Sequence, residues 1–176
     1  MFPKTIAQVN TVIMLHPSTP LPLPSIVRAT GLARSPVASA LTSLEKRGLV
    51  RRTSRGGTDE FGPNRESPHY PMAYAAALVD LPIAAALRGA RVYAVYAYGS
   101  LSRPGGGGNR SDLDLFIVGD IKNSAELLER LIPVGARIGR AVDPFVLTPE
   151  QLELARSRND SHVVSALAGV RIMGSV

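Results

Sequence analysis

The sequence predicts a mixed α/β chain of two domains, residues 1–76 and 77–176. Three observations carry this. Three helical stretches, Pro3–Leu15, Pro24–Thr30 and Ser35–Arg47, give way to a short strand and a Gly-Gly turn. An unbroken apolar run, Val92 to Tyr98, is followed at some distance by a second strand pattern, Asp112 to Val118. A third strand pattern, Ala141 to Leu147, comes after an intervening helix, as a mixed sheet requires.

In chain order, Pro3 to Leu15 is a helix candidate, with Pro3 suited to the first turn and Ile6, Val9 and Ile13 on one face. The segment His16–Pro24 holds Pro17, Pro20, Pro22 and Pro24 and cannot stay helical. Pro24 to Thr30 makes a short helix closed by Gly31. The next helix runs to Arg47, with Ser35 as N-cap, Pro36 at the first helical position and Gly48 as its stop. Val37, Leu41 and Leu44 form its apolar face. Ser35, Ser39, Thr42 and Lys46 form a polar stripe on another.

Leu49 to Thr53 reads as a strand and Arg55-Gly56-Gly57 as a turn. Phe61 to Tyr70 then returns as an irregular segment that Pro63 and Pro68 confine to an edge. A short helix, a tight turn and a second helix with small polar side chains is a helix-turn-helix arrangement. Together residues 5–72 resemble a winged helix of the type found in small bacterial repressors. The resemblance implies DNA as a partner: Ser35, Ser39, Thr42 and Lys46 toward base edges, Arg51, Arg52 and Arg55 toward phosphates, and a homodimer on a roughly palindromic site. Packing against the second domain or dimerisation alone is the other use of such a domain.

Pro71 to Gly89 is Ala-rich with Pro82 in its middle and reads as two short connecting helices, with the domain boundary between Tyr74 and Pro82. After the second strand, Asn123 or Ser124 caps a helix through Leu131, which Pro133 breaks or restarts up to Gly139. Thr148 to Gln151 opens a further helix, and Gly169 to Met173 is a last short strand.

The chemistry concentrates between Gly99 and Asp114. Asp112 and Asp114 alternate onto one face of a strand, roughly 6–7 Å apart at about 3.3 Å per residue. Two carboxylates that close repel unless a cation stands between them, and hard ions such as Mg²⁺ favour all-oxygen sites that also hold phosphate. A solvated strand end is the plain alternative for an Asp-x-Asp pair. Gly99 lets backbone approach a ligand, and Ser100 offers an N–H and a hydroxyl. A Walker-type loop is excluded, because no Gly-Lys-Ser/Thr follows the glycines; Gly105 to Gly108 reads as a flexible loop tip.

Gly-Ser followed after eleven residues by Asp-Leu-Asp-Leu resembles the signature of the DNA polymerase beta-like nucleotidyltransferases, and is most similar to the minimal, antitoxin-type members. Arg103 stands at the family's arginine position, while Ser102 and Pro104 stand where the family has Ala and Gly. The resemblance spans about residues 87–173. With the first domain it implies an α+β chain, a winged helix-turn-helix followed by a mixed-sheet nucleotidyltransferase domain. It further implies an Mg²⁺-dependent enzyme moving a nucleoside monophosphate, AMP from ATP by the family's usual choice, to an acceptor such as a toxin protein or an RNA.

In that reading Asp112, Asp114 and a third carboxylate, Asp143, hold two Mg²⁺ ions and are the catalytic and metal residues. Gly99, Ser100 and Arg103 bind the nucleotide phosphates. An Asp embedded in an apolar strand calls for a partner; an Asp-Pro turn at a strand start is the other account of Asp143. The alternative function is a DNA-binding regulator whose second domain senses nucleotide without turnover.

Composition sets the outer bounds. The chain has 176 residues with 45% apolar content, enough for a core. It has no cysteine, so neither disulfide nor thiolate metal site is available. The three histidines, His16, His69 and His162, lack metal-ligand partners at helical spacing and read as surface residues. No run of about 18 apolar residues occurs and Met1-Phe2-Pro3-Lys4 does not open a secretory signal, so a cytoplasmic location without membrane partners is expected. Net charge is +6, with nine Lys/Arg against five Asp/Glu in residues 1–80 and eleven against nine in the rest. The excess points weakly to a polyanionic partner of the first domain.

Overall fold

The computed structural model describes residues 2–16, 19–108 and 111–176. The chain divides into two compact units, Met1–Asp80 with Arg137–Gly139, and Leu81–Ala136 with Arg140–Val176. The division after Asp80 lies inside the Tyr74–Pro82 window but beyond residue 76, because one helix runs unbroken across that point.

The first unit contains α1 (Lys4–Leu15), β1 (Leu21–Pro22), α2 (Leu23–Thr30), α3 (Arg34–Lys46), β2 (Val50–Arg55), β3 (Thr58–Pro63) and α4 (Tyr70–Val79). Pro17 of the proline-rich segment lies outside the described residues. α1 is buried along Val9, Val12, Ile13 and Leu15 and packs against α2, α3 and α4. The side chains of the buried Asn10 and Thr11 donate to the Ala73 and Ala77 carbonyls of α4, at 2.9 and 3.3 Å. These bonds tie α4 to the first unit.

Two expectations are corrected here. α3 begins at Arg34 with Ala33 at the cap, so Ser35 lies within the first turn and caps nothing. Pro36 tolerates this because the first-turn N–H groups have no intrahelical acceptor. The return strand also starts earlier than expected, at Thr58, and ends at Pro63, so only Phe61–Pro63 of the expected Phe61–Tyr70 segment belong to it. It is regular, and the central strand of a three-stranded sheet ordered β1-β3-β2. β2 and β3 pair from Val50↔Pro63 to Arg55↔Thr58 around the two-residue Gly56-Gly57 turn. Pro63 fits because it sits at the last rung, where one missing donor interrupts nothing beyond it.

The second unit contains α5 (Ile83–Ala86), β4 (Arg91–Ala97), a 3₁₀ turn (Gly99–Ser102), β5 (Leu113–Asp120), α6 (Ser124–Ile138), β6 (Val142–Leu147), α7 (Pro149–Ser157), α8 (Ser161–Leu167) and β7 (Val170–Gly174). Its sheet is ordered β6-β5-β4-β7, with β5 and β6 parallel and the other pairs antiparallel, the mixed sheet expected. Asn123 caps α6 through its side-chain oxygen, which accepts from the Ala125 and Glu126 amides.

Pro133 does not break α6. It faces solvent, while Leu131 and Val134 on either side are buried and hold the helix through the missing bond. Thr148 and Gln151 form a reciprocal capping box at the start of α7. α8 has no counterpart in the sequence reading. Its N-cap, Asp160, accepts from the His162 and Val163 amides.

One face of the sheet is apolar for most of its length. Tyr96, Phe116 and Val118 pack with Leu152 of α7 and Val163 and Ala166 of α8. Phe116 is fully buried and lies 5.2 Å from the Phe145 ring and 6.2 Å from Tyr96, centroid to centroid. Phe116→Ala is therefore expected to destabilise the second unit by about 3–5 kcal/mol. Denaturant unfolding followed by hydrogen exchange should show the loss in β4–β7 and leave protection of α1–α4 unchanged.

Candidate functional site

In the first unit, α3 presents Ser35, Ser39, Thr42 and Lys46 on one exposed face, while Val37, Ala40, Leu41 and Leu44 are buried. The 4-3-4 spacing places all four on one stripe of a helix. The Thr42 hydroxyl donates to the Ala38 carbonyl at 3.1 Å and keeps only acceptor capacity for a ligand.

The three wing arginines are all exposed but not equivalent. Arg51 is paired with Glu66. Arg52 reaches both carboxylate oxygens of Glu45 at 3.2 Å and Asp59 at 3.3 Å, and its guanidinium lies over the Phe61 ring. The Glu45 hydrogen bond and charge hold the Arg52 proton more tightly than usual. Arg52 is thus a brace joining the end of α3 to both strands of the wing, not a free phosphate contact. Arg55, beside the turn, makes no ion pair among the described residues.

In the second unit, β5 sets the carboxylates. The strand starts at Leu113, so Asp112 stands exposed just before it, and Asp114, its second residue, is half-buried. The parallel pairing of β5 with β6 makes Asp143 the direct neighbour of Asp114 across the sheet. Asp143 is exposed and lies within β6, so neither a buried charge nor an Asp-Pro turn describes it. β6 is the outer strand, which accounts for both the exposure and the tolerance of Pro144.

Burial raises the Asp114 carboxyl above the ordinary aspartate range, and Asp143 and then Asp112 push it further, while His162 pulls it down. Among the described residues no three His, Cys, Asp or Glu side chains are gathered into a ready metal centre. The donor set is nonetheless all-oxygen and its charges repel one another, which fits a hard divalent cation such as Mg²⁺.

Gly99 is pressed against this acid. Its φ is +67°, and a Cβ there would lie 2.1 Å from the nearer Asp114 oxygen. The Tyr98 amide donates to the Asp114 carbonyl at 3.1 Å, and the Ser102 hydroxyl donates to the Gly99 carbonyl at 2.8 Å, which fixes the turn that carries Ser100. Ser100 and Arg103 are exposed there.

The described part of the glycine-rich loop contains a defined turn. The Gly106 amide donates to the Arg103 carbonyl at 2.9 Å, with Pro104 and Gly105 between them and Gly105 at φ +74°, the pattern of a type II turn. Pro104 is therefore the residue that sets the turn. A Cβ on Gly106 would lie 2.0 Å from the Ser100 carbonyl, so the loop folds back on the Gly-Ser turn. Arg140 donates to the Gly108 and Ser111 carbonyls at 3.1 and 2.6 Å and holds the loop ends.

Two further residues at the site were missed from sequence. His162 on α8 is exposed, as read, but its Nε2 is 3.2 Å from the Tyr98 hydroxyl and its ring meets Tyr98 and Phe145 edge-on. Tyr98 is kept protonated by burial and by the nearby charges of Asp114 and Asp143. No sequence spacing marks either, because the topology alone brings α8 over the end of β4.

Two outcomes test this geometry. Gly99→Ala should destabilise the second unit by roughly 1–2 kcal/mol or more from the left-handed backbone alone, and Asp114→Ala should relieve part of that loss in the double variant. Strictly additive losses in denaturant unfolding would contradict the close approach. For Asp114 the folded pKa lies above the unfolded one, so its contribution to stability is greatest at and below the ordinary aspartate range and is lost as pH rises through the folded value. Asp114→Asn should flatten that fall and raise the melting temperature near pH 7. Melts in metal-free buffer across pH 4–7 check it.

Comparison with known families bears on the first unit. The sequence model of the IclR helix-turn-helix domain matches residues 15–54, which run from the end of α1 through α2 and α3 into β2. No curated protein and no solved structure matches the chain. No helix among the described residues is long and apolar enough to cross a membrane. The N-terminal unit therefore carries a helix-turn-helix similar to the DNA-binding domain of IclR type.

Proposed function

We propose that this chain is a DNA-binding transcriptional regulator whose second unit binds a nucleoside triphosphate with Mg²⁺ at a nucleotidyltransferase-type site. The single observation behind the DNA role is the exposed Ser35–Ser39–Thr42–Lys46 face of α3, which lies within the segment matching the IclR helix-turn-helix domain. Small polar side chains let that helix approach the major groove closely, and Lys46 at its end and Arg55 on the wing, which make no ion pair among the described residues, are placed to meet phosphate. Arg52 instead braces the wing through Glu45 and Asp59.

For the second unit, support comes from the carboxylates and the Gly-Ser turn that stands against them. Asp112 and Asp114 would hold Mg²⁺ with the phosphates, and Asp143 would hold a second ion on the acceptor side. Bound Mg²⁺ would supply neutralising charge for the triphosphate and for the three acids. Ser100 offers its hydroxyl and N–H, and Arg103 its guanidinium, to phosphate oxygens.

A second reading, transfer of the nucleoside monophosphate, is favoured by one observation: Asp143 is solvent-exposed directly beside Asp114, where an acceptor hydroxyl can enter. In that reading the hydroxyl oxygen bonds to the α-phosphorus, its proton passes to a carboxylate oxygen of Asp143, and pyrophosphate leaves. ATP is the expected donor, and a protein such as a toxin, or an RNA, the expected acceptor.

Duplexes enriched from a random pool should share a roughly palindromic sequence if the regulator acts as a dimer. Arg55→Ala and Lys46→Ala should each make the salt slope of DNA binding shallower by about one unit. Arg52→Ala should instead lower the melting temperature of the first unit. A pool that enriches nothing contradicts the regulatory role. Incubation with radiolabelled ATP, Mg²⁺ and cell lysate separates the two readings of the second unit. Label retained on a macromolecule establishes transfer, and Asp143→Ala should reduce it roughly a hundredfold or more while MgATP binding persists. Absence of label together with DNA affinity that shifts with MgATP establishes sensing.

A further inference from the structure

The Gly99–Ser102 turn faces a cavity of about 370 Å³, lined on one side by Gly99, Ser100, Ser102 and Arg103 and on the other by Ser165 and the Ala168–Val170 turn. Its size falls in the range of about 300–1,000 Å³ common to ligand clefts. The far wall is set by the fold: β7 pairs antiparallel to β4 with Val170 opposite Ala97, so the turn leaving α8 arrives beside Gly99. His162 and Ser165 lie three residues apart on α8 and so share a face. His162 meets Tyr98 and Phe145 at the carboxylate end of the sheet, while Ser165 lines the cavity at the Gly-Ser end.

The polar groups around the cavity have different commitments. The Ser102 hydroxyl is used by the Gly99 carbonyl. The hydroxyls of Ser100 and Ser165 make no hydrogen bond among the described residues, Arg103 makes no ion pair there, and all three are exposed. Two hydroxyl donors and a guanidinium converging on one polar cavity, with no acid in its lining, suit a polyanion.

We propose that Ser165 is a further phosphate-binding residue, its hydroxyl donating to an oxygen of the triphosphate from the wall opposite Gly99 and Ser100. This rests on the nucleotide reading of the second unit and extends it to α8. The Tyr98–His162 contact holds α8 over the sheet and thereby sets the distance between the two walls.

Calorimetric titration of the full chain with Mg²⁺-tripolyphosphate, and separately with MgATP, tests it. Ser165→Asp should weaken both by about tenfold or more and Ser165→Ala by a few-fold, with melting temperatures unchanged. Ser157→Asp, an exposed change on α7, should leave both affinities as in the wild type. Wild-type affinity in Ser165→Asp overturns the proposal while leaving the nucleotide site standing. An equal loss in Ser157→Asp also overturns it, because net charge then explains the effect. A wild-type chain that binds neither probe overturns the nucleotide reading and this inference with it.

Discussion

The second unit depends on one constraint: the parallel register that sets Asp114 beside Asp143 while Gly99 closes on Asp114 from the next strand's end. Like charges so placed are unfavourable in the absence of a cation, and burial raises the penalty for Asp114. Such an arrangement persists because the apolar face beneath it, Tyr96, Phe116 and Val118 against α7 and α8, stabilises the register independently. The acids sit at one end of the strands, beside Tyr98 and Phe145 of that face. The stability of the strands and the strain of the site are thus properties of the same sheet.

The first unit solves a different problem. A recognition helix must expose polar side chains and still be held firmly. α3 does so by burying Val37, Ala40, Leu41 and Leu44 and by anchoring its last turn to the wing through Glu45 and Arg52. Exposed ion pairs of this kind contribute little individually, but Arg52 joins Glu45 and Asp59 in one network and covers Phe61, so its loss removes several contacts at once. Arg55 and Lys46 take no part in this brace and make no ion pair among the described residues.

Most of the elements were legible in the sequence because their signals are local. The Val92–Tyr98 and Asp112–Val118 runs, the helix stops at Gly31 and Gly48, and the Thr148–Gln151 cap all fell within a residue or two of their observed places. What was not legible was set by tertiary contact. Pro133 sits mid-helix because buried neighbours hold it. β3 is central rather than an edge because β1, too short to register as a strand, pairs with it. The ion pairs of Arg51 with Glu66 and of Arg52 with Glu45 carry no local sequence signal, because the fold alone brings these residues together. Pro104, which the resemblance made a departure, is a turn residue with a local reason that the Pro-Gly pair already contained.

The central claim is that the Asp114–Asp143 end of the sheet is a cation-dependent nucleotide site. Paramagnetic broadening by Mn²⁺, used in place of Mg²⁺, with ATP present addresses it residue by residue. Backbone amide signals of Gly99, Leu113, Leu115 and Phe145 should disappear first and persist in Asp114→Asn, while those of α3 and the wing remain sharp. Broadening centred elsewhere, or unchanged in Asp114→Asn, would contradict the account.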